Sequence, residues 1–163
     1  KKILDNFREK VGVLLSTENP QSELTNNLNL LRLLNLASLL EKEIPFSNER
    51  QIVAGILEKR LKVGMPLQVD ATIVYVKCNG RFLNCPPLKE EDYKIKSVYN
   101  TYLYPGLPPA PISNPDLDAI KSALQPIKSD YWYYLSDPKT KRTIFSKTLD
   151  EHNQNRVKYL LSK

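Results

Sequence analysis

The chain has 163 residues, 41% of them hydrophobic and 26% charged, which suits one soluble globular domain with its own core. Its single histidine and two cysteines exclude a zinc site built from several histidines and a metal cluster held by four cysteines. The five glycines form no phosphate-binding motif, and the net charge of +6, which would fit an anionic partner, comes from basic residues dispersed along the chain.

The first part of the chain is predicted to be helical. A helical spacing of apolar residues over 3–15 predicts a leading helix, and 16–22 form a break after it. The longest helical segment runs from Ser22 to Glu43 and has leucines on nearly all of its sides, which predicts a buried central helix. Pro45 ends it, because the residue before a proline avoids helical backbone angles.

A third helix is predicted to follow, with Ser47 as its N-cap and Gly64 just beyond its last turn. Its buried stripe is formed by Ile52, Val53, Ile56 and Leu57. The next segment leaves two possibilities open. Residues 73–76 have the composition of a strand, while Asp70 is equally suited to cap a short helix.

Charged residues and prolines dominate the middle of the chain. The charged run at 89–96 predicts a solvated surface segment. The prolines within 99–115 predict an extended loop with neither helix nor central strand. Asn114 followed by Pro115 is typical of a helix start, and Pro126 stops that helix.

The last part of the chain is predicted to pair two strands and then return to helix. Segments 131–135 and 143–146 form a hairpin across a turn at 137–139, and Thr148 with Glu151 is a capping box for a final helix. The chain as a whole therefore predicts a helix-rich α+β fold with a buried central helix and a small β-sheet or hairpin.

Glu41 and Glu43, at the end of the central helix, are candidates for acid–base chemistry. Residues two apart on a helix point about 200° apart, so these two carboxyls cannot face one cleft. Glu43 extends the leucine stripe that begins at Leu33, and Glu41 extends a second apolar stripe that begins at Leu34. A carboxyl that extends an apolar stripe tends to be partly desolvated. Desolvation raises its pKa, as a general acid working near neutral pH requires. The alternative is a frayed helix end with both acids in water.

Polar and aromatic residues later in the chain form candidate binding clusters. Amides, hydroxyls and aromatic faces on a proline-stiffened loop suit sugars, which offer hydroxyl and acetamido groups to the amides and C–H faces to the rings. A structural loop, whose polar side chains satisfy backbone groups, is the alternative. The candidates are Gln68, Asp70, Thr72, Tyr75, Asn100, Thr101, Tyr102, Leu107, Pro108 and Asn114. On the last helix, His152 and its neighbour Asn153 are either ligand-binding residues or ordinary surface and capping residues.

Taken in order, these segments resemble successive motifs of the YceG-like endolytic murein transglycosylase family. The motifs are Leu36-Ala37-Ser38-Leu39-Leu40-Glu41-Lys42-Glu43, Glu49-Arg50, Leu57 to Leu61, Gly64-Met65-Pro66-Leu67-Gln68, Asp70 with Thr72 and Tyr75, Tyr99-Asn100-Thr101-Tyr102, Gly106-Leu107-Pro108-Pro109, Pro111-Ile112-Ser113-Asn114-Pro115 and Glu151-His152-Asn153. So many motifs in one order are specific. Two positions depart from the family pattern, because Ala71 stands where the family has proline and Ala110 where it has glycine.

The resemblance implies a lytic transglycosylase with one catalytic glutamate, the second acid of a Glu-Lys-Glu motif, which is Glu43 in this sequence. It implies that the binding candidates named above contact the glycan, and that neither a metal nor a cofactor takes part. The expected reaction cleaves the β-1,4 bond between N-acetylmuramic acid and N-acetylglucosamine and leaves a 1,6-anhydro end. A non-catalytic peptidoglycan-binding module is the alternative. Nucleic acid is not an expected partner, because the basic residues are dispersed.

The resemblance also implies where the protein works. It implies an enzyme anchored in the bacterial cell membrane, with its catalytic domain on the extracytoplasmic side, acting on nascent peptidoglycan strands beside the wall-synthesis machinery. Family members carry an N-terminal membrane helix and a LysM-like subdomain before this region. We therefore expect 1–163 to be a single catalytic domain, with a leading helix and linker at 1–21 and the transglycosylase core at 22–163. The chain starts without methionine, and we expect it to be the catalytic portion of a longer protein.

The two cysteines, Cys78 and Cys85, bracket a short turn-like segment. Their spacing is as compatible with two free thiols as with a disulfide. The exported location that the resemblance implies favours the disulfide.

Overall fold

A computed structural model describes residues 27–161 of the chain, with side chains from residue 29. The leading helix predicted at 3–15 and the start of the central helix lie outside the described residues. The described part is helix-rich and contains one small antiparallel sheet, so the predicted α+β class is confirmed. Its elements are α1 (Asn27–Glu43), α2 (Ser47–Lys62), α3 (Asp70–Lys77), α4 (Leu117–Leu124), β1 (Tyr133–Ser136), β2 (Thr143–Ser146) and α5 (Leu149–Arg156). A 3-10 helix at Glu90–Lys94 and a π-helical turn at Val157–Leu161 complete them.

Helix α1 is the centre of the fold, as its leucine pattern predicts. It packs against α4, α3 and α2, and the side chains from 35 to 40 are all buried. Leu31 is exposed, so the burial on nearly every side belongs to the second half of the helix. A helix that is surrounded in this way fixes the place of whatever side chain follows its last buried turn.

Helix α2 follows after a short break and carries most of the predicted stripe inward. Val53, Ile56 and Leu57 are buried, while Ile52 is half-buried. The prediction of Ser47 as the N-cap is wrong by one residue. Phe46 occupies the cap position without a side-chain bond, because its extended backbone and not a hydroxyl begins the helix.

The end of α2 agrees with the prediction for Gly64. This glycine has a positive φ of 69°, a conformation that costs glycine little. The amide of Met65 donates to the Arg60 carbonyl at 2.9 Å, and the Gly64 amide donates to the Leu61 carbonyl at 3.3 Å. These two bonds form a Schellman motif, which turns the chain sharply toward the candidate site.

The ambiguous segment before residue 77 is helical. Helix α3 begins at Asp70, and Val69, not Asp70, takes the cap position. Its β-branched residues do not form a strand, because Ile73 is buried in the helical core rather than paired in a sheet.

The start of α4 corrects a second cap prediction. Asp116, not Asn114, caps the helix, and its carboxylate accepts a bond from the Ala119 amide at 2.7 Å. Asn114 and Pro115 belong to the extended loop before the cap, so the proline is not the first helical residue. The helix ends at Leu124, as the proline at 126 predicts.

The charged run at 89–96 is only partly the solvated segment that was predicted. It contains the 3-10 helix, and Asp92 is buried there. The Asp92 carboxylate accepts from the ammonium group of Lys77 at 2.7 Å and from the Lys89 amide at 2.7 Å. A buried carboxylate needs such partners. The local sequence did not predict the burial of Asp92, because its cation, Lys77, lies 15 residues away in the chain.

The hairpin and the last helix agree with their predictions. Strands β1 and β2 pair antiparallel, with Tyr134 opposite Phe145. The Thr148 hydroxyl accepts from the Glu151 amide at 3.2 Å. The Glu151 carboxylate accepts from the Lys147 amide at 2.7 Å, one residue before the cap, so the capping box is displaced on that side.

Cys78 and Cys85 form a disulfide with their Cα atoms 6.0 Å apart, which ties the end of α3 to the loop that follows. Between residues 27 and 161, none of the helices is both long and apolar enough to cross a lipid bilayer.

Candidate active site

Glu43 lies where the last turn of α1 meets the first turn of α3. Its carboxylate accepts a hydrogen bond from the Ala71 amide at 3.3 Å, and its side chain is half-buried. The leucines before Glu43 are buried, and the carboxyl follows them toward the protein interior, as the stripe predicts.

Two opposing influences act on the Glu43 carboxyl. Burial and the neighbouring charge of Asp70 disfavour its ionised form, while the amides of Ala71 and Asp70 at the start of α3 favour it. The first two dominate and raise the pKa of Glu43 from 4.5 to about 8. Glu43 is therefore protonated at neutral pH and can donate that proton, which is the state a general acid needs.

Asp70 connects Glu43 to two tyrosines. The Tyr102 hydroxyl donates to the Asp70 carboxylate at 2.5 Å, and the ring of Tyr93 lies edge-on against that of Tyr102 with centroids 4.8 Å apart. Burial, followed by Asp70, raises the pKa of Tyr93 to about 12 and that of Tyr102 further still. Both phenols are therefore fixed as hydrogen-bond donors throughout the physiological range.

A further side of the site is formed by the hairpin and α2. The Tyr134 hydroxyl is buried and has no hydrogen-bond partner among the described residues. Burial, and after it the charge of Glu43, raises the pKa of this phenol. Arg60 fixes this side of the site. It donates to the Trp132 carbonyl at 2.9 and 2.7 Å and to the Leu67 carbonyl at 2.7 Å.

Glu41 points elsewhere, as the two-residue spacing predicts. Its carboxylate lies 3.7 Å from the Arg50 guanidinium and accepts from the Asp116 amide at 3.3 Å. Arg50 is buried and also donates to the Ile44 carbonyl at 2.8 Å and to Asp118 at 3.0 Å. Glu41 is thus part of a structural ion cluster, and Glu43 alone of the two faces Asp70.

Three of the predicted binding residues are buried and bonded within the protein. The Thr101 hydroxyl accepts from the Val69 amide at 3.0 Å and lies 3.0 Å from the Thr72 hydroxyl. The side-chain amide of Asn100 donates to the carbonyls of Tyr93 and Ile95 at 3.0 and 2.8 Å. In this structure Thr72, Asn100 and Thr101 hold the loop that carries Tyr102 in place.

The aromatic candidate Tyr75 belongs to a cluster beside the disulfide. Its ring centroid is 4.9 Å from that of Tyr99 and 6.4 Å from that of Phe82. The ammonium group of Lys42 lies 5.1 Å from the Phe82 centroid, so the cluster adjoins the residue just before Glu43. Gln68 precedes α3, is exposed and has a positive φ of 54°.

The remaining candidates lie on three different segments. His152 stacks on Tyr133 at 5.4 Å, and Asn153 beside it is exposed. The Pro108 carbonyl accepts from the Asn35 side chain, and Leu107 packs against the core. Asn114 is exposed in the segment that bonds the Ser38 and Glu41 side of α1, so it is not grouped with Asp70 and Tyr102.

Sequence reasoning missed Arg60, Tyr93 and Tyr134. Each reaches the site from a segment distant in sequence, and none has a local spacing that marks it. The one available signal was the aromatic content of the first hairpin strand. Within 27–161, no group of three or more histidine, cysteine or carboxylate side chains is arranged to hold a metal ion.

Comparisons with known proteins show the family of this chain. The model of the YceG-like family matches residues 1–158. This chain belongs to the YceG-like family. Relatives in the family include the endolytic murein transglycosylase of Bacillus subtilis, 39% identical over 140 residues, and that of Streptococcus pneumoniae, 34% identical over 142. Each alignment covers 85% of this chain, but 37% of the Bacillus protein and 25% of the Streptococcus protein.

A solved structure from the YceG-like group has the same fold. The crystal structure of a yceG-like protein from Listeria monocytogenes superimposes with a TM-score of 0.73 at 38% identity. The superposition covers 82% of this chain and 42% of that one. This YceG-like chain therefore spans less than half the length of each of these relatives.

Proposed function

We propose that this chain carries the catalytic centre of an endolytic lytic transglycosylase and that Glu43 is its catalytic residue. The observation that carries the proposal is the position of Glu43, desolvated beside Asp70 with its pKa raised to about 8. The names of the relatives, endolytic murein transglycosylases, support the substrate class. The proposed substrate is the peptidoglycan glycan strand.

In the proposed reaction, protonated Glu43 gives its proton to the oxygen between N-acetylmuramic acid and N-acetylglucosamine. The bond from the anomeric carbon to that oxygen breaks, and the positive charge is relieved by the substrate's acetamido group or carried as an oxocarbenium ion. Glu43, now a base, takes the proton from the C6 hydroxyl, whose oxygen bonds the anomeric carbon. No water is consumed, and one carboxyl serves twice.

The surrounding residues have different proposed tasks. Asp70, beside Glu43, and Tyr102, which donates to Asp70, bind the sugar beside the reacting bond, while Tyr75 offers an aromatic face and Gln68 an exposed amide. His152, which stacks on Tyr133, and its neighbour Asn153 have proposed glycan contacts beside the hairpin. The predicted glycan contacts of Leu107, Pro108 and Asn114 stay predictions. Thr72, Asn100 and Thr101 contribute by supporting the loop behind the site.

The cellular setting follows from the same proposal. A murein transglycosylase acts at the cell wall, so we place the catalytic domain on the extracytoplasmic side of the bacterial membrane. Anchoring through a segment outside this chain, and contact with the wall-synthesis machinery, are parts of the proposal that the family resemblance supports.

The matched pair Glu43→Gln and Glu41→Gln tests the catalytic assignment on purified glycan strands. We expect Glu43→Gln to lower the rate of bond cleavage by about 10²-fold or more, because an amide cannot donate or accept the proton. Glu41→Gln keeps its bond from the Asp116 amide and should retain most of the activity. Wild-type rates in Glu43→Gln would contradict the proposal. Wild-type protein that binds strands without producing new ends would favour a binding module instead.

A further inference from the structure

The Asp70 carboxylate is held by more than one element. Asp70 itself opens α3, Tyr102 reaches it from the loop at 99–115 with a bond of 2.5 Å, and Tyr93 interacts with it from the 3-10 helix. Three separate segments of the chain therefore meet at one carboxylate, which itself lies beside Glu43.

Asn100 joins the two tyrosine segments to each other. Its side-chain amide donates to the Tyr93 carbonyl at 3.0 Å, and its side-chain oxygen accepts from the Tyr102 amide at 2.9 Å. Asn100 is completely buried, so these bonds are shielded from water. With the rings of Tyr93 and Tyr102 edge-on at 4.8 Å, the two hydroxyls are held in one fixed relation.

We propose that Tyr93 is a positioning residue which, together with Tyr102, holds the Asp70 carboxylate in its place beside Glu43. The inference rests on the proposed function for its consequence in catalysis. The arrangement itself is a property of the folded chain. The Tyr102 hydroxyl donates to Asp70, the ring of Tyr93 lies edge-on against that of Tyr102, and the Ala71 amide donates to Glu43, a desolvated carboxyl beside Asp70.

Other charged and titratable groups also face this pair. Tyr134 of β1 interacts with both carboxyls, and Lys42 precedes Glu43 on α1. Three further groups face the tyrosines. Arg60 of α2 is close to Tyr102, Tyr133 and Tyr134, and Arg156 of α5 is close to Tyr93. His152 of α5 stacks on Tyr133. All of them are present in every variant compared below, so they cancel when the variants are compared.

The test follows the titration of Glu43 directly, by carbon-13 NMR of the glutamate carboxyls in the 163-residue chain, with Glu43→Gln used to assign the signal. We expect Asp70→Asn to lower the titration midpoint of Glu43 by about 1 pH unit, because a neighbouring negative charge is removed. Tyr93→Phe keeps the ring but releases one hold on Asp70, and should lower the midpoint by a smaller amount, about 0.3 pH unit or more. Tyr102→Phe should act in the same direction.

A double variant separates positioning from a structural role. In the Asp70→Asn background there is no charge left to position, so adding Tyr93→Phe should leave the Glu43 midpoint unchanged. Tyr104→Phe, an exposed tyrosine in the same loop as Tyr102, is the control and should not move the midpoint in either background. Tyr93→Phe without effect in the wild-type background, or with an equal effect in both, would overturn the proposal.

The titration needs no turnover, so it fails or succeeds separately from the proposed function. A midpoint that shifts as expected in a chain that never cleaves glycan would support the positioning role and contradict the activity. Cleavage of glycan without a shift of the Glu43 midpoint in the variants would support the activity and contradict the positioning role. In an active enzyme, the alkaline limb of the rate profile should move with the NMR midpoint in each variant, with kcat affected more than KM.

Discussion

Replacing Glu43 by glutamine should make the protein more stable at neutral and alkaline pH. The raised pKa of Glu43, about 8 against 4.5, means that the folded state holds its proton where the unfolded chain has released it. The folded protein therefore loses stability as the pH rises from 4.5 toward 8, and this contribution is fully present only below 4.5. Glutamine stays neutral, keeps an oxygen for the Ala71 amide and removes this dependence.

The size of the effect follows from the pKa values. At 1.36 kcal/mol per pKa unit, a rise from 4.5 to about 8 corresponds to at most about 5 kcal/mol in the free energy of unfolding. Part of that range lies below pH 5, so between pH 5 and pH 8 we expect Glu43→Gln to gain about 3 kcal/mol relative to the wild type. Other titrating groups are common to both proteins and cancel in the difference.

Urea unfolding of both proteins at pH 5, 6, 7 and 8 measures this difference. Glu41→Gln serves as the control, and its free energy of unfolding relative to the wild type should not rise in this way, because Glu41 faces Arg50 and not Asp70. A difference for Glu43→Gln that stays constant across the pH series would contradict the raised pKa of Glu43. So would a wild type that becomes the more stable of the two at pH 8.

Three further changes test the structure around the site. Arg50→Met should lower the free energy of unfolding in urea by about 3 kcal/mol, because it leaves the Ile44 carbonyl and the carboxylates of Asp116 and Asp118 without their buried cation. An unchanged urea midpoint would contradict a stabilising role of the ion cluster. Gly55→Ala should lower the free energy of unfolding by about 3 kcal/mol or prevent folding, because its Cβ would lie 1.9 Å from the Ile127 carbonyl oxygen. In the matched variant Gly64→Ala the Cβ meets no atom within 4 Å, so the loss should be only about 1–2 kcal/mol, caused by the positive φ. Replacing both Cys78 and Cys85 by serine should lower the free energy of unfolding in urea by about 2 kcal/mol, because the disulfide closes a short loop in the unfolded chain. The wild type with its disulfide reduced should unfold at the same urea concentration as the variant.

Local sequence patterns predicted the elements that depend on local chemistry. The leucine spacing identifies α1 and the face on which Glu43 lies, and alternation with turn residues identifies the hairpin. The caps were less predictable. Asn114 and Asp116 are both good cap residues, and the choice of Asp116 depends on where Arg50, 66 residues earlier, places its guanidinium.

The candidate site was predictable only in part. Glu43 follows from the helix pattern together with the family motif, and Asp70 and Tyr102 from the motif. Tyr93 and Arg60 escaped, because their roles arise from contacts with residues distant in sequence, such as Arg60 with the Trp132 carbonyl, and a local pattern carries no information on such contacts. Thr72 and Thr101 are a different case: the motif predicts glycan contacts for them, which stay a prediction, while their burial and their bond to each other depend on packing that the motif does not describe.

The proposed reaction closes a 1,6-anhydro ring on the sugar and admits no water. Mass spectrometry of the ends produced from purified glycan strands in ¹⁸O-labelled water tests it most directly. We predict new N-acetylmuramic acid ends that are one water lighter than hydrolysis products and carry no label, and their loss in Glu43→Gln but not in Glu41→Gln. New ends that carry the ¹⁸O label would contradict ring closure without water. Unlabelled anhydro ends that persist in Glu43→Gln would contradict Glu43 as the catalytic residue.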